Sequence, residues 1–336
     1  MKEFLAKLNT GLNLSRDEAA AAMQVIMSGG ASEAELEEYL VLLAEKGETA
    51  DEIAGSAHAM RENSRKIFPK VARFVDIVGT GGDCSDTFNI STTAAFVVAG
   101  AGVAVAKHGN KAVSSKSGAA NVLEALGVKI NLEPERVEKC IEEVGIGFLF
   151  APIFHPAMKY AAPVRAKLKR KTIFNLLGPL TNPAGAKHLL IGVFEERLAP
   201  IFAEVLRQNG VTHALVVHGD GLDEFSTTGK STVFEVQNEK IAKLAIDLAE
   251  FGIQKTAREN LRGGDATVNA QICREILAGE SDVAKTEIVI LNAGAAIFAA
   301  DAAPNLAAGI AAARQSLESG AAEQKLKNLI EFTNQG

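Results

Sequence analysis

Four segments of this 336-residue chain carry the residue types that could do chemistry. The first reads GTGGDCSDTFNIST at 79–92. Three glycines in its first four residues let the backbone approach a ligand and aim several N–H groups at one anion. Asn89, Ser91 and Thr92 then open a helical stretch, and a helix N-terminus favours phosphate. The second segment, KHGNKAVSSKSG at 107–118, sets Lys107, Lys111 and Lys116 among Gly, Asn and Ser donors, a mixture suited to pyrophosphate. The third, HGDGLDEFSTTG at 218–229, holds the adjacent carboxylates Asp223 and Glu224. Magnesium prefers oxygen ligands and is commonly held by one or two carboxylates together with substrate phosphates. The fourth, at 163–183, packs five basic residues into 165–171 ahead of a Gly-Pro and an Asn-Pro turn. Such a run is usually a solvated helix face, although the fork of Arg165 suits a substrate carboxylate.

Other chemistries leave no signature: GxxxxGK[ST], GxGxxG, GxSxG, HExxH and the kinase motifs are all missing. His108, His155 and His218 are candidate bases. The residues alone therefore point to a magnesium-dependent enzyme handling a phosphorylated or pyrophosphorylated substrate, and leave its reaction open.

These segments need a scaffold that gathers them. Short apolar runs recur at 74–78 (FVDIV), 103–106 (VAVA), 147–150 (GFLF), 188–194 (HLLIGVF) and 213–219 (HALVVHG), with helical patterns between them. Uninterrupted apolar strands alternating with helices predict a mostly parallel central sheet flanked by helices on both faces. Ligands of such sheets bind at the carboxyl ends of the strands, where the first three segments fall. Before residue 66 only helices are expected, opened by three capping boxes: Ser15 with Glu18, Ser32 with Glu35, and Thr49 with Glu52. The predicted fold is α/β, with a small helical domain at 1–70 and a large α/β domain at 71–336. Residues 163–185 are expected to pack back onto the helical domain, which is too small to bury much surface alone.

Composition narrows the setting. Apolar residues make up 47% and charged residues 23%, an ordinary globular balance. A net charge of −6 gives no footprint for nucleic acid or an anionic membrane, so an anionic ligand must be held by local chemistry. Cys84, Cys140 and Cys273 fit neither a disulfide framework nor a zinc spacing, and the N-terminal residues do not read as a signal peptide. A cytoplasmic protein without a membrane span is expected.

Together the segments resemble the anthranilate phosphoribosyltransferase family of tryptophan biosynthesis. The resemblance rests on GTGGD at 79–83, NIST at 89–92, KHGN at 107–110 and SSKSG at 114–118, and on FNLLGPLTNPA at 174–184, DGLDE at 220–224 and GGDATVNA at 263–270. It covers nearly the whole chain, and the order and spacing of the motifs make it specific. It implies transfer of a phosphoribosyl group from phosphoribosyl pyrophosphate to the amine of anthranilate, with pyrophosphate released. It also implies magnesium, two ions per subunit, and a homodimer joined through the helical domain.

By position, the resemblance assigns Gly79, Gly82, Asp83, Thr87, Asn89, Ile90, Ser91 and Thr92 to the phosphoribosyl pyrophosphate. Lys107, His108, Gly109, Asn110, Lys111, Ala112, Val113, Ser114, Ser115 and Ala119 wrap the same ligand. Gly79, Asn110 and Arg165 correspond to anthranilate contacts, with His108, His155 and Gly178 as neighbours, and Ser91, Asp223 and Glu224 to metal positions. Asn110 and Arg165 are the positioning residues, and no general base is assigned. The chain departs from the family where Arg is common and it has Lys111, and where Ser is common and it has Ala119. It also has Leu168, Lys169 and Lys171 before Thr172, where the family usually reads LGxRTIFN. The alternatives are a pyrimidine nucleoside phosphorylase-like enzyme, which resembles the family in architecture, and a catalytically silent relative acting as a binding protein.

Overall fold

The computed structural model describes residues 1–112 and 116–335, so the expected ligand contacts Val113, Ser114 and Ser115 lie outside the described residues. The chain opens with α1 (Lys2–Asn9), α2 (Arg16–Met27), α3 (Glu33–Lys46) and α4 (Ala50–Glu62). All three capping boxes form, the hydroxyls of Ser15, Ser32 and Thr49 accepting from the N–H of Glu18, Glu35 and Glu52. Glu52 does more than cap. Though buried, its carboxylate also accepts from the Leu14 N–H and the Lys46 ammonium, both at 2.9 Å, tying α4 to the α1–α2 loop and to α3.

The sheet comprises β1 (Phe74–Gly79), β2 (Ala104–Gly109), β3 (Ile146–Phe150), β4 (His188–Gly192), β5 (His213–Gly219), β6 (Ser231–Gln237) and β7 (Lys240–Leu244). They lie in the order β3-β2-β1-β4-β5-β6-β7. The first five are mutually parallel, and β6 and β7 add an antiparallel hairpin. That hairpin is absent from the sequence-based expectation. Its turn residues Asn238 and Glu239 both take positive φ, 51° and 62°, the geometry of a two-residue hairpin usually marked by Asn-Gly. Glu in place of Gly removes the signal. Strand β2 also runs three residues further than VAVA, so Lys107, His108 and Gly109 belong to a strand rather than to the polar loop.

Helices α5 (Ile90–Gly100), α6 (Ala119–Leu126), α7 (Pro134–Val144), α8 (Ala151–Phe154), α9 (Ala162–Leu168), α10 (Phe174–Leu177) and α11 (Leu198–Gln208) interleave with the strands. Helices α12 (Ala266–Leu277), α13 (Val283–Ala299), α14 (Leu306–Glu318) and α15 (Ala321–Asn334) follow. Alternate strand residues feed two cores, because successive side chains point to opposite faces. Ile77, Val105, Leu190 and Leu215 pack against α5, apolar from Ala94 onward, and against α13. Leu189, Ile191, Ala214 and Val216 pack with α11 on the other face, in one cluster with Met23, Tyr39 and Leu40 of the helical domain. Val164, Ile173, Phe174 and Leu177 belong to that same cluster, and Arg61 donates to the Leu180 carbonyl at 2.7 Å. Among the described residues, no helix is long and apolar enough to cross a membrane.

Candidate active site at the divergence of β1 and β4

Connections from β1 lead outward to β2 and β3, while β4 and β5 build the sheet on the other side of β1, so a crevice opens between the carboxyl ends of β1 and β4. Gly79 and Gly192 end these strands as direct register partners. Both must be glycine, because a Cβ at Gly79 would strike the Asp223 carboxylate and one at Gly192 would strike the Asp223 carbonyl. The DGLDE loop thus lies across the crevice floor. Asp223 accepts the Gly81 N–H at 2.6 Å and donates its own N–H to the Asp83 carboxylate at 3.4 Å, while Glu224 accepts the Ser91 N–H at 3.1 Å. Gly79, Asp83, Ser91, Asp223 and Glu224 are therefore gathered in one place.

This arrangement concentrates buried negative charge. Burial raises the Asp223 carboxyl well above the usual range, with Asp83 adding to the rise, and burial raises Glu224, with Asp223 adding. The counter-charge is Lys107. Its side chain is buried, and its ammonium donates to the Ile77 carbonyl at 2.5 Å and lies 3.5 Å from the Ser91 hydroxyl. Burial depresses its pKa, while Asp76, Glu224 and Asp223 oppose that shift. Asp76 is pushed up to about 6 by burial against the pull of Lys107. It accepts from the His108 N–H at 3.2 Å and from Asn182 at 2.8 Å, and Asn182 also donates to the Ala106 carbonyl at 2.8 Å. Lys107 therefore spends its charge inside the protein, at the end of β2, while Lys111 and Lys116 lie in the loop that follows.

The donor set suits a magnesium ion. Asp223 and Glu224 offer carboxylate oxygens and Ser91 a hydroxyl, all hard ligands, and a dication would offset the burial and neighbouring negative charge that raise both acids. Among the described residues, no three acidic, His or Cys side chains converge as a complete ligand set, so substrate oxygens would have to finish the coordination.

The rest of the first segment folds around a polar hub. The Asn89 side chain donates to the Ser117 carbonyl at 3.2 Å and accepts from Asn269 at 2.9 Å, joining the glycine loop, the lysine loop and the GGDATVNA segment. Thr87 bridges to Arg262, and Ile90 is a core residue. Thr92 is buried with its hydroxyl unpaired, so it does not cap its helix. Asn121 holds the far end of the lysine loop by accepting the N–H groups of Ala112 at 3.0 Å and Gly118 at 3.1 Å. The Asn110 carbonyl accepts from the Ala120 N–H at 3.2 Å, and its side chain accepts the Lys111 N–H at 2.7 Å. Lys111 and Lys116 pair with Glu124 at 2.9 Å and Asp86 at 3.3 Å on the surface. Ala119 begins α6 beside Gly109.

A second, less charged compartment adjoins the first. His108 and His155 lie 5.1 Å apart between ring centroids, both buried. The His108 Nδ1 faces the Gly178 carbonyl at 3.2 Å, which assigns the proton to Nδ1, and the Nε2 atoms of both rings have no partner. Burial lowers His108 to about 3, with His155 adding to the fall, and lowers His155 to about 4. Neither imidazole is charged at neutral pH. Arg165 stands half-buried 5.1 Å over the Phe174 ring, and burial pulls its pKa down. His218, the third candidate base, is structural: Nδ1 donates to the Val193 carbonyl at 2.8 Å and Nε2 accepts the Gly221 N–H at 3.3 Å. Asp76, Asn182 and Asn269 support the site; they lie within FVDIV, FNLLGPLTNPA and GGDATVNA, but the sequence assigns them no role because their partners are distant along the chain.

Comparison with known proteins gives the family of the chain. Residues 71–323 match the glycosyl transferase family, a/b domain, and residues 2–64 its helical bundle domain. Anthranilate phosphoribosyltransferase of Anaeromyxobacter dehalogenans is 50% identical over 99% of this chain and 98% of its own. The crystal structure of the Thermus thermophilus enzyme superposes with a TM-score of 0.93 at 44% identity, covering 98% of this chain and 99% of that one. The Saccharomyces cerevisiae enzyme in complex with PRPP and Mg gives 0.90 at 29% identity, covering 98% and 97%. The same yeast enzyme with 4-fluoroanthranilate gives 0.88 at 27% identity, covering 98% and 97%. The chain belongs to the anthranilate phosphoribosyltransferase family.

Proposed function

We propose that this protein transfers the phosphoribosyl group of phosphoribosyl pyrophosphate to the amine of anthranilate, giving N-(phosphoribosyl)anthranilate and pyrophosphate. The observation that carries this reading is the acidic DGLDE loop laid across the Gly79–Gly192 pair, with carboxylates bonded to the N–H groups of Gly81 and Ser91. A nucleoside phosphorylase using free phosphate has no need of two buried carboxylates there.

With the Gly81 and Ser91 N–H groups bonded to Asp223 and Glu224, the remaining N–H groups of the glycine loop and of the start of α5 meet the donor's phosphates. Asp223, Glu224 and Ser91 would hold magnesium, as two ions per subunit. Bound magnesium supplies neutralisation of the departing pyrophosphate. Arg165 pairs with the acceptor's carboxylate, and Asn110 helps to orient its amine. His108 and His155 bring two bare Nε2 atoms that accept a proton-bearing group. An aryl amine is nucleophilic when neutral, so positioning and electrostatics rather than a strong base drive the step. The remaining assigned residues, from Gly82, Asp83, Thr87 and Asn89 to Lys111 and Ala112, act as donor contacts or supports.

Two further features belong to this reading. A homodimer through the helical domain is supported by the exposed Leu12, and by the exposed Tyr160 beside Gly29 of that domain. A reducing, cytoplasmic setting is supported by Cys84, Cys140 and Cys273, all free. Mass spectrometry of the reaction mixture tests the activity: one pyrophosphate should appear for each anthranilate consumed. Phosphorolysis of uridine or thymidine in its place would favour the nucleoside phosphorylase alternative.

A further inference from the structure

Lys171 belongs to the basic run read from sequence as a solvated face, yet its ammonium is not free. It donates to the Gly82 carbonyl at 2.9 Å and sits 3.3 Å from the centroid of the Phe194 ring. Phe194 is itself tied to the glycine loop, its N–H donating to the Thr80 hydroxyl at 3.0 Å, while the Thr80 N–H donates to the Gly192 carbonyl at 2.9 Å. One cation thus joins three segments: the glycine loop, the end of β4 and the 163–185 segment.

The bond to Gly82 has a directional consequence. Gly82 takes φ of +75°, a conformation from which the following peptide can rotate with little steric resistance. In a planar trans peptide the carbonyl and the next N–H point in opposite directions. By holding the Gly82 carbonyl toward itself, Lys171 turns the Asp83 N–H the other way and fixes it there. Asp83 in turn accepts from Asp223, so the same peptide adjoins the carboxylate loop. A carbonyl flipped toward the donor would present negative potential to a polyanion.

We propose that Lys171 is a positioning residue for donor binding, locking the Gly82–Asp83 peptide in its anion-accepting orientation. The proposal deepens the functional reading above and rests on it. Its role is distinct from that of Arg165, six residues earlier, which is assigned to the acceptor.

The test compares wild type, Lys171→Met and Lys171→Arg by titration calorimetry with phosphoribosyl pyrophosphate and Mg²⁺, alongside steady-state kinetics and thermal melting. Lys171→Met should bind the donor about tenfold more weakly, equal to about 1.4 kcal/mol. Its KM for the donor should rise alike, while kcat and the KM for anthranilate stay within about twofold. Lys171→Arg should recover donor affinity, since a cation on the carbonyl and the ring is what the role needs. Wild-type affinity in Lys171→Met overturns the proposal. So does a parallel loss of kcat and both KM values with a lowered melting temperature, the mark of a merely structural residue. Failure of the wild type to bind the donor would instead remove the functional reading on which the proposal stands.

Discussion

Gly79 and Gly192 face each other in register at the carboxyl ends of β1 and β4, and a side chain on either would run into Asp223. Two separate glycines, 113 positions apart in sequence, thus serve one carboxylate. In Gly79→Ala the strand geometry is kept but the Asp223 carboxylate must move. Turnover should fall by about 100-fold or more, while melting temperature changes far less. Equal, mild losses in both would show that the Asp223 position is not critical.

Exchanging the acids for amides, Asp223→Asn with Glu224→Gln, keeps shape and removes the charge. The pKa of both groups is raised by burial and by a neighbouring carboxylate, Asp83 for Asp223 and Asp223 for Glu224, a cost that a bound cation would offset. The double variant should lose nearly all turnover and need far more magnesium for what remains, yet be no less stable. Magnesium titration of initial rates reads this directly.

Arg165→Ala removes the fork assigned to the anthranilate carboxylate. Hydrogen bonds to charged groups contribute roughly 1.5–3 kcal/mol, so the KM for anthranilate should rise about 10- to 100-fold with the donor KM little changed. An equal rise in both constants would remove that role from Arg165.

His108 and His155 set an acid limit on stability. Their folded pKa values, about 3 and about 4, lie below the ordinary 6.5, so the fold favours the neutral rings. That contribution is fully present above pH 6.5 and is lost as pH falls through the folded values. Between pH 6 and 4.5 the unfolded chain binds protons the native rings refuse. Each ring therefore removes about 1.4 kcal/mol of unfolding free energy per pH unit there. Urea unfolding of His108→Asn/His155→Asn should show a shallower acid slope than wild type. An identical slope would mean that the rings take up protons in the native state.

Lys169 ends α9 in the left-handed conformation, φ +49° and ψ 31°, a backbone geometry that favours glycine. An L-residue is strained there by about 1 kcal/mol. Lys169→Gly should raise stability by up to that amount without altering kinetics, measurable by chemical denaturation. A loss of stability would show that the Lys169 side chain contributes more than its backbone strain costs.

The legible parts of this molecule are the local ones. Ser15 with Glu18 announces a helix start within four residues, and runs such as HALVVHG announce a buried parallel strand on their own. The chemistry of GTGGD and DGLDE could be read because each segment carries its chemistry in adjacent residues. What brings them together could not. Asp76 and Asn182 meet across 106 positions, and Asn89 and Asn269 across 180. The inward turn of Lys107 depends on where β2 ends, which two apolar residues before it do not reveal. The β6–β7 hairpin escaped because its turn uses Asn238 and Glu239 without glycine. The basic run at 165–171 looks uniform in sequence, yet Arg165, Lys169 and Lys171 stand in three different environments.

Ala119 starts α6, at the position where the family resemblance implies a serine. Restoring the hydroxyl in Ala119→Ser should lower the donor KM by about 2- to 10-fold, the effect of one neutral hydrogen bond of 0.5–1.5 kcal/mol. An unchanged KM would exclude a donor contact from that position.

Anthranilate fluorescence tests the central claim most directly. Wild-type protein mixed with anthranilate, phosphoribosyl pyrophosphate and Mg²⁺ should quench that fluorescence progressively, and omission of either the donor or the metal should leave it constant. Undiminished fluorescence at saturating substrates, or the same decay in Asp223→Asn/Glu224→Gln, would contradict a metal-assisted phosphoribosyl transfer at the β1–β4 crevice.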